Sequence, residues 1–425
     1  MSDLPNTRID PYAALRFPEY RDYIVASFIL TISLMIQEVA LGYELYSITK
    51  DPLVLGLIGL AEAIPFIGLS LFGGHVADRR SKRNIIRWSV GVMAVGSLVL
   101  HVVSRPEVRA GVSQRILIDV SYATVFLVGT CRAFQSPAAS SLRAFLVPVR
   151  VYENAATWSS SSWQAGAIVG PAIGGVIFGW IGFSNTLLVV VVQMIGALIL
   201  FSRIQDRPTP ALSVSESLLL SIREGIAFVW KTKPILYAIS LDLFSVLFGG
   251  VVAILPIYAQ DILMVGARGL GILRAAPSFG AVLMLLVLAR VSPMRNAWRN
   301  LMIAVTGFGV SILVFAVSPW MVLSTFALFL SGAFDSISVV IRHTLLQLWT
   351  PDEMRGRVMA VNGIFLSSSN EIGAFESGLA ARLLGVVRSA VFGGVVTLVI
   401  VSVVFSRTRG LMKERLDRRP ESVGR

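Results

Sequence analysis

The chain has 425 residues, of which 55% are hydrophobic and 15% are charged, and its mean hydropathy is +0.74. This composition excludes a soluble domain of that length and is typical of a protein that crosses a membrane many times. The net charge of +12 would suit a nucleic-acid partner. Most basic residues, however, fall in connections on one predicted side of the membrane, so we interpret them as a signal of membrane topology.

The first 22 residues are polar and contain several arginines and prolines. They lack the apolar stretch and the small-residue cleavage site of a signal peptide, so we expect the first span to be retained. Twelve apolar runs follow, each near the length of about 20 residues that crosses a ~30 Å hydrocarbon core. The predicted spans are 23–47, 52–76, 84–104, 116–140, 156–180, 183–202, 235–258, 269–290, 300–318, 320–345, 358–383 and 386–406. The positive-inside rule then predicts that both termini are cytoplasmic.

A polar stretch rich in proline and serine separates spans six and seven and leads into an amphipathic run at 218–230. We interpret it as a linker that ends in a helix on the inner membrane surface. On either side of it occurs the same Gly-x-x-charge-x-x-Pro frame, once around Glu62 and once around Arg274. Other glycines and prolines keep the same spacing between the two parts, which predicts a parallel repeat of six spans.

The fold class is therefore predicted as an all-α membrane protein with twelve transmembrane helices in two pseudo-symmetric six-helix bundles. No room remains for a large soluble domain. The predicted divisions are a cytoplasmic N-tail at 1–22, a first bundle at 23–202, a cytoplasmic linker with an amphipathic helix at 203–234, a second bundle at 235–406 and a cytoplasmic tail at 407–425.

The short connection after span two reads Gly73-Gly74-His75-Val76-Ala77-Asp78-Arg79-Arg80-Ser81-Lys82-Arg83. It resembles the Gly-x-Leu-Ala-Asp-Arg-x-Gly-Arg-Lys signature of the major facilitator superfamily, with Ser81 in place of the second glycine. The resemblance implies that Gly74 allows close helix approach. It also implies that Asp78, Arg79 and Arg83 form a cytoplasmic charge clamp, or gate, that breaks when the two halves rock. An ordinary positive-inside loop is the alternative.

Span four carries Arg132-Ala133-Phe134-Gln135-Ser136-Pro137-Ala138-Ala139. This string is similar to the superfamily's Arg-x-x-Gln-Gly-x-Gly-Ala pattern. Because an arginine keeps its proton, we interpret Arg132, with Gln135 nearby, as a cavity residue that biases a neighbouring carboxylate or binds an anionic group of a substrate. A buried structural ion pair is an equal alternative.

Span five contains Gly166-Ala167-Ile168-Val169-Gly170-Pro171-Ala172-Ile173-Gly174-Gly175. The string resembles the glycine-proline pattern of the superfamily's drug:proton antiporters. Gly170, Gly174 and Gly175 favour tight packing against a neighbouring helix, and Pro171 adds a pliable point. The residues alone indicate a packing face, whereas the resemblance implies export.

Further residues resemble bacterial drug and siderophore exporters of the enterobactin-exporter type. They are the run from Phe134 and Pro137 through Pro148 and Asn154-Ala155 to Gly170-Pro171, and the string Thr350-Pro351-Asp352-Glu353-Met354-Arg355-Gly356-Arg357-Val358. The resemblance implies a secondary active transporter in the bacterial inner membrane, driven by protons and working as a monomer within the lipid bilayer. No phosphate-binding loop, metal-ligand cluster or nucleophile triad is recognisable in the sequence. We therefore expect no enzyme activity, no cofactor, no metal and no nucleic-acid partner.

The candidates for a coupling and substrate cavity are polar or charged residues in or near the spans: Glu38, Glu62, Arg132, Gln135, Arg274, Asp335 and Glu371. A charge at membrane depth costs roughly 2.5–3.5 kcal/mol, so it persists mainly where it faces a pathway or a partner. Counting along the helices puts Glu62, Asp335 and Glu371 near mid-depth and Arg274 nearer the outer surface. A fixed structural ion pair is the alternative for each of them.

The predicted function is efflux of a small amphipathic compound, such as a drug or a siderophore, by alternating access coupled to protons. Two alternatives stay open. The chain could import or flip a lipid or metabolite, or it could be a transport-inactive membrane scaffold or sensor. Flux of any substrate would exclude the last of these.

Overall fold

Helices make up nearly all of the protein in a computed structural model, which describes residues 10–206 and 218–409. The predicted N-tail, linker and C-terminal tail fall in part outside the described residues, at 1–9, 207–217 and 410–425. The long helices are α1 (Pro18–Thr49), α2 (Pro52–Arg79), α3 (Lys82–Ser104), α4 (Gln114–Phe145), α5 (Tyr152–Arg203), α6 (Leu218–Lys231), α7 (Lys233–Gly249), α8 (Gly266–Leu288), α9 (Ala297–Val317), α10 (Met321–Trp349), α11 (Asp352–Leu384) and α12 (Val386–Arg407).

The predicted spans five and six form one helical segment, α5, that turns back on itself at Gly182. This glycine has a φ of +75°, a conformation that residues with a Cβ rarely adopt. Both ends of the segment reach the start of α1, because Tyr20 Oη donates to Ala155 O at 2.5 Å and Gln205 N donates to the Glu19 carboxylate at 2.9 Å. α5 is therefore a hairpin that provides two crossings.

Ten segments of the described chain are long and apolar enough to cross a membrane. They include the α5 hairpin as a single segment and leave out α11, which has 33 residues and packs along α2. Two crossings for α5, together with one for α11, make the structure consistent with twelve. The predicted all-α membrane fold class is confirmed.

The seventh predicted span, 235–258, is not one regular helix. α7 ends at Gly249, a 3-10 turn occupies Val251–Ile254, and a π-helix covers Tyr258–Ile262. Two consecutive glycines, the first of them Gly249, favour helix poorly, and Pro256 has no N–H with which to continue the hydrogen-bond ladder. The irregular segment brings Asp261 to the end of α1, where Lys50 Nζ donates to its carboxylate.

The two halves meet along two helix pairs, α2 with α11 and α5 with α8. Both pairs cross at glycines. A Cβ added to Gly56 would lie 3.2 Å from Gly378 Cα, and one added to Gly175 would lie 2.9 Å from Gly271 Cα. Glycine lets these backbones touch. Both crossings lie toward the outer face, which is the face where α1 ends; the inner face is the one where α1 begins.

We expect Gly175→Val to destabilise the closed outer side. The added side chain would meet the backbone of Ala267 and Gly271, which cannot move without separating α5 from α8. Overpacking of this kind costs about 1–3 kcal/mol. Thermal unfolding in detergent should show a lower Tm for this variant, and an unchanged Tm would contradict the crossing. Gly196→Val is the matched control, because no heavy atom lies within 4 Å of a Cβ at that position of the same helix.

The amphipathic run predicted for the linker forms α6, which packs against α7 and α11. Glu224 of α6 forms an ion pair with Arg357 of α11. A Cβ on Gly225 would lie 2.9 Å from Arg357 O, so the two helices are in direct contact. α6 is thereby attached to the second half, rather than lying on the membrane surface alone.

Candidate substrate and coupling site

Arg132 of α4 and Glu62 of α2 form an ion pair inside the first half. The two helices touch at Gly129, where an added Cβ would lie 3.0 Å from Glu62 Cα. Since Arg132 follows Gly129 by about one helical turn, this close packing brings the guanidinium to the carboxylate. The Phe66 ring lies 5.4 Å from the guanidinium carbon, a favourable cation–π distance. The Arg132 and Glu62 side chains are 41% and 18% exposed, so the pair borders open space.

Glu371 approaches the same arginine from the second half. Its Oε1 lies 3.9 Å from Arg132 Nη1. α11, which carries Glu371, is held against α2 at Gly59, where an added Cβ would lie 3.2 Å from Glu371 O. Arg132 is therefore shared between a carboxylate of its own half and a carboxylate of the other half.

A second ion pair, Glu38 of α1 with Arg274 of α8, also joins the halves, with 3.0 Å between Oε1 and Nη1. Glu38 is close enough to Glu62 and Glu371 to interact with both electrostatically. We call these five residues, Glu38, Glu62, Arg132, Arg274 and Glu371, the charge cluster. It contains three carboxylates and two guanidinium groups, so its net charge is −1 when every member is ionised. The sequence singled out all five members but not their pairing.

A cavity of about 690 Å³ extends from Arg132 toward the inner face between α1, α2, α4 and α5. Gln135, predicted to be a cavity residue, contributes to its wall. The wall combines aromatic rings, hydroxyl groups and a second arginine, and includes Tyr23, Ser140, Arg143, Ser159 and Trp163. A cavity of this volume and mixed polarity is suited to a small amphipathic molecule.

Asp335 is separate from the charge cluster, although the sequence grouped it with those residues. It borders a void of about 10 Å³ inside the second half, together with Asp242 and Phe308. Asp242 of α7 forms an ion pair with Arg342 of α10, and these two side chains are only 8% and 4% exposed. Their burial makes this a structural pair, in contrast to the cavity-lining pair of Arg132.

Polar contacts that the sequence did not predict join the halves at the outer face. Lys50 Nζ lies 3.0 Å from Asp261 Oδ1, and Tyr46 Oη donates a hydrogen bond to the same carboxylate. On the other side of the interface, Arg382 Nη1 lies 3.3 Å from Asp51 Oδ2. We call these five residues the outer latch. The latch and the glycine crossings close the outer side, whereas the cavity lies on the inner side, so the arrangement is inward-open.

We expect Asp261→Asn to shift the protein toward outer-side opening by up to about fivefold. The Lys50 contact is largely exposed and such pairs contribute about 1 kcal/mol or less. Spin labels at the exposed outer positions Ile116 and Val322, in a Cys131→Ser background, would report the distance between halves. Glu107→Gln is the matched control, because its 3.3 Å pair with Arg105 stays within one half. Equal distance distributions in all three proteins would contradict a latching role.

The glycine contact predicted for the inner gate falls one residue earlier than expected. Gly74 has no heavy atom within 4 Å of an added Cβ. A Cβ on Gly73 would instead lie 3.2 Å from Phe134 Cα of α4. The close approach of α2 to α4 therefore depends on Gly73, which the signature resemblance did not single out.

The charged gate residues lie at the inner face. Arg83 Nη2 donates to Ser202 O at 3.3 Å, a contact within the first half. Asp78 and Arg79 are exposed, and Asp78 makes no ion pair with any residue that the structure describes. A clamp involving these residues stays a prediction for the conformation in which the inner side is closed.

The small residues of α5 lie on two faces. Gly170 and Gly174 face α1, where added Cβ atoms would lie 3.3 Å from Met35 Cγ and 3.0 Å from Ile36 Cα. Pro171 and Gly175 face α8 of the other half, as their contacts with Gly271 show. The first arm of α5 thus packs within its own half and across the interface at once.

Comparison with known proteins identifies relatives along almost the whole chain. Residues 9–422 match the family described as transmembrane secretion effector. The chain is 25% identical over 392 residues to the enterobactin exporter EntS of Shigella boydii serotype 4 (strain Sb227), with 90% of each chain covered. EntS of Escherichia coli O81 (strain ED1a) matches with the same identity and coverage.

Solved structures show the same fold at low sequence identity. A bacterial homologue of the human lysosomal transporter Spinster, in an inward-facing and unoccupied conformation, has a TM-score of 0.73 at 15% identity, covering 95% of this chain and 99% of that one. The D-xylose-proton symporter has a TM-score of 0.71 at 11% identity, covering 92% and 97%. These similarities are to membrane transporters built from the same helical architecture.

Proposed function

We propose that the chain, which belongs to the transmembrane secretion effector family of the major facilitator superfamily, exports a small amphipathic compound in exchange for protons. The protein is a multi-pass membrane transporter of that superfamily and not an enzyme. We propose in addition that transport runs outward, that it is coupled to protons and that the substrate is a small amphipathic compound. Export across the bacterial inner membrane, with both termini in the cytoplasm, fits the distribution of basic residues in the sequence.

The observation that carries the proposal is the sharing of Arg132 between Glu62 and Glu371. One guanidinium holds a carboxylate from each half, so the charge balance of the cluster and the relative position of the halves are linked. With a net charge of −1, the cluster is neutralised either by one proton or by one cationic group of a substrate. The proton and the substrate compete for the cluster, so only one of them is bound each time the halves reorient. The protein therefore exchanges substrate for protons.

The cavity supports loading from the inner side. It connects Arg132 with the inner face, and aromatic walls from Tyr23, Phe66 and Trp163 alternate with serine hydroxyls. The aromatic rings can hold the apolar part of a molecule and the hydroxyls its polar part. Release on the opposite side then requires opening of the outer latch and closure of the inner face, where Asp78, Arg79 and Arg83 are the proposed clamp.

Transport by proteoliposomes with an imposed pH gradient tests the proposal. The panel comprises cationic dyes, siderophores and lysolipids, each loaded into the lumen in turn. We expect at least one compound to leave faster when protons are driven inward, and a protonophore to remove this stimulation. Flux accelerated when the proton gradient runs in the same direction as the compound would indicate an importer instead. Absence of flux for every compound under either gradient would contradict the export proposal.

A further inference from the structure

A long groove lies on the lipid-facing side of the second half, between α9, α10 and α12, with a volume of about 940 Å³. None of its lining residues belongs to the cavity that contains Arg132. Its walls are mainly apolar and include the exposed residues Ile303, Val310, Val314, Phe326 and Phe405. We call this feature the lipid-facing groove.

Two arginines stand at the inner end of the groove, Arg299 in the first turn of α9 and Arg409 just after α12. The residues that precede them, Trp298 and Thr408, are joined by a hydrogen bond that Trp298 Nε1 donates to Thr408 Oγ1 at 2.9 Å. The two arginines therefore lie near each other. The Arg409 guanidinium carbon lies 5.8 Å from the centre of the Phe405 ring. Neither arginine forms an ion pair with any residue in 10–206 or 218–409. Among the described residues, the inner end of the groove therefore carries two arginines without an acidic partner.

The groove is longer than the hydrocarbon layer of one bilayer leaflet. From Arg299 to Val314, α9 advances by about 15 residues, or roughly 22 Å. Half of a ~30 Å hydrocarbon core is roughly 15 Å, so the groove runs past the middle of the membrane. A headgroup at the arginines would leave room for an acyl chain along the apolar wall.

The corresponding region of the first half, between α3 and α4, differs in shape. It consists of two smaller cavities of about 530 and 460 Å³ that share Trp88 and Val92 as a boundary. In the second half, Gly307 packs directly on the Phe334 ring, where an added Cβ would lie 2.7 Å away, and one cavity spans the whole length. Of these three cavities, the one in the second half is the largest and has two arginines in its lining.

We propose that the lipid-facing groove binds one anionic phospholipid, with its phosphate at Arg299 and Arg409 and an acyl chain along α9 and α10. Charge complementarity selects the anionic headgroup, since a basic residue near the membrane surface attracts anionic lipid. The apolar wall selects a lipid over a free phosphate. Because α9, α10 and α12 belong to one half, the lipid stays bound whether that half rocks inward or outward.

Native mass spectrometry of the full chain in detergent, titrated with phosphatidylglycerol or phosphatidylcholine, tests the proposal. We expect tight binding of one phosphatidylglycerol and weaker binding of phosphatidylcholine. Arg299→Gln with Arg409→Gln should lower the phosphatidylglycerol affinity about 30-fold. Val310→Trp should lower it by filling the groove without changing a charge. The matched control is Arg295→Gln with Arg407→Gln, two exposed arginines near the same helix ends that do not line the groove.

Three results would overturn the proposal. Equal binding of the two lipids would remove the anionic selectivity. A loss of binding in the control variant as large as in the Arg299 and Arg409 variant would indicate general attraction to the basic surface. Displacement of the lipid by millimolar inorganic phosphate would indicate an anion site rather than a lipid groove. Thermal unfolding of each variant without added lipid checks that the fold is retained.

Discussion

Arg132→Gln is expected to reduce proton-linked transport on the order of 100-fold while leaving the protein folded. The substitution removes the one group that pairs with Glu62 and also approaches Glu371, so the link between charge balance and the position of the halves is lost. Three carboxylates would then face only Arg274, and they can take up protons from the cavity. Because these side chains border open space, the loss of the pair should cost far less stability than the loss of a buried pair.

Transport into or out of proteoliposomes under a pH gradient, normalised to reconstituted protein, measures the effect. Glu62→Gln should behave in the same way, because it removes the other partner of the pair. Arg109→Gln is the matched control, since it breaks the 2.8 Å pair with Glu44 at the outer face of the same half. Wild-type flux in Arg132→Gln would contradict a coupling role for this arginine, whatever the substrate is.

The largest loss of stability is expected for Asp242→Asn, by about 3–5 kcal/mol. Its partner Arg342 is only 4% exposed, so the substitution leaves a guanidinium buried without a carboxylate partner. A charge in that situation is costly in any membrane protein. Thermal unfolding and the yield of monodisperse protein in detergent would show the effect.

A double variant separates a structural pair from a functional one. Replacing both partners with apolar residues of similar size, Asp242→Leu with Arg342→Met, removes both buried charges and should recover most of the stability. It should also retain transport, because neither residue belongs to the charge cluster or the cavity. A stable double variant without transport would show instead that the Asp242–Arg342 pair takes part in the transport cycle.

The sequence predicted the helical class and all five members of the charge cluster from two simple signals. Apolar runs of membrane length gave the spans, and the cost of charge at depth singled out Glu62, Arg132 and Glu371. The partner of each charge could not be predicted, because pairing depends on how helices rotate and slide against each other. Gly129 shows this, since its contact with Glu62 decides which carboxylate Arg132 meets.

The pseudo-symmetric repeat does not give Asp335 the environment of Arg132. In the repeat, Gly332 and Asp335 correspond to Gly129 and Arg132. A Cβ on Gly332 would lie 2.7 Å from Pro277 Cα, three residues beyond the position that corresponds to Glu62. α10 therefore crosses α8 about one turn further along than α4 crosses α2, and the charge of α10 lies in a different environment.

The outer latch escaped prediction for a local reason. Asp261 lies in the π-helix Tyr258–Ile262 that follows the break after α7, beyond residue 258, where the predicted seventh span ends. Its partner Lys50 was one of few basic residues on the predicted outer side, which was the one available signal. Irregular backbone near glycine and proline decides such contacts, and hydropathy carries no information about it.

Proton movement driven by substrate alone tests the account most directly. Proteoliposomes are loaded with a transported compound and a pH-sensitive dye, and diluted into compound-free buffer at equal pH. If protons and substrate compete for the charge cluster, efflux of the compound through the wild-type protein will acidify the lumen. In liposomes that contain the Arg132→Gln variant, the pH of the lumen will not change. Alkalinisation of the lumen, or efflux without any pH change, would contradict proton exchange.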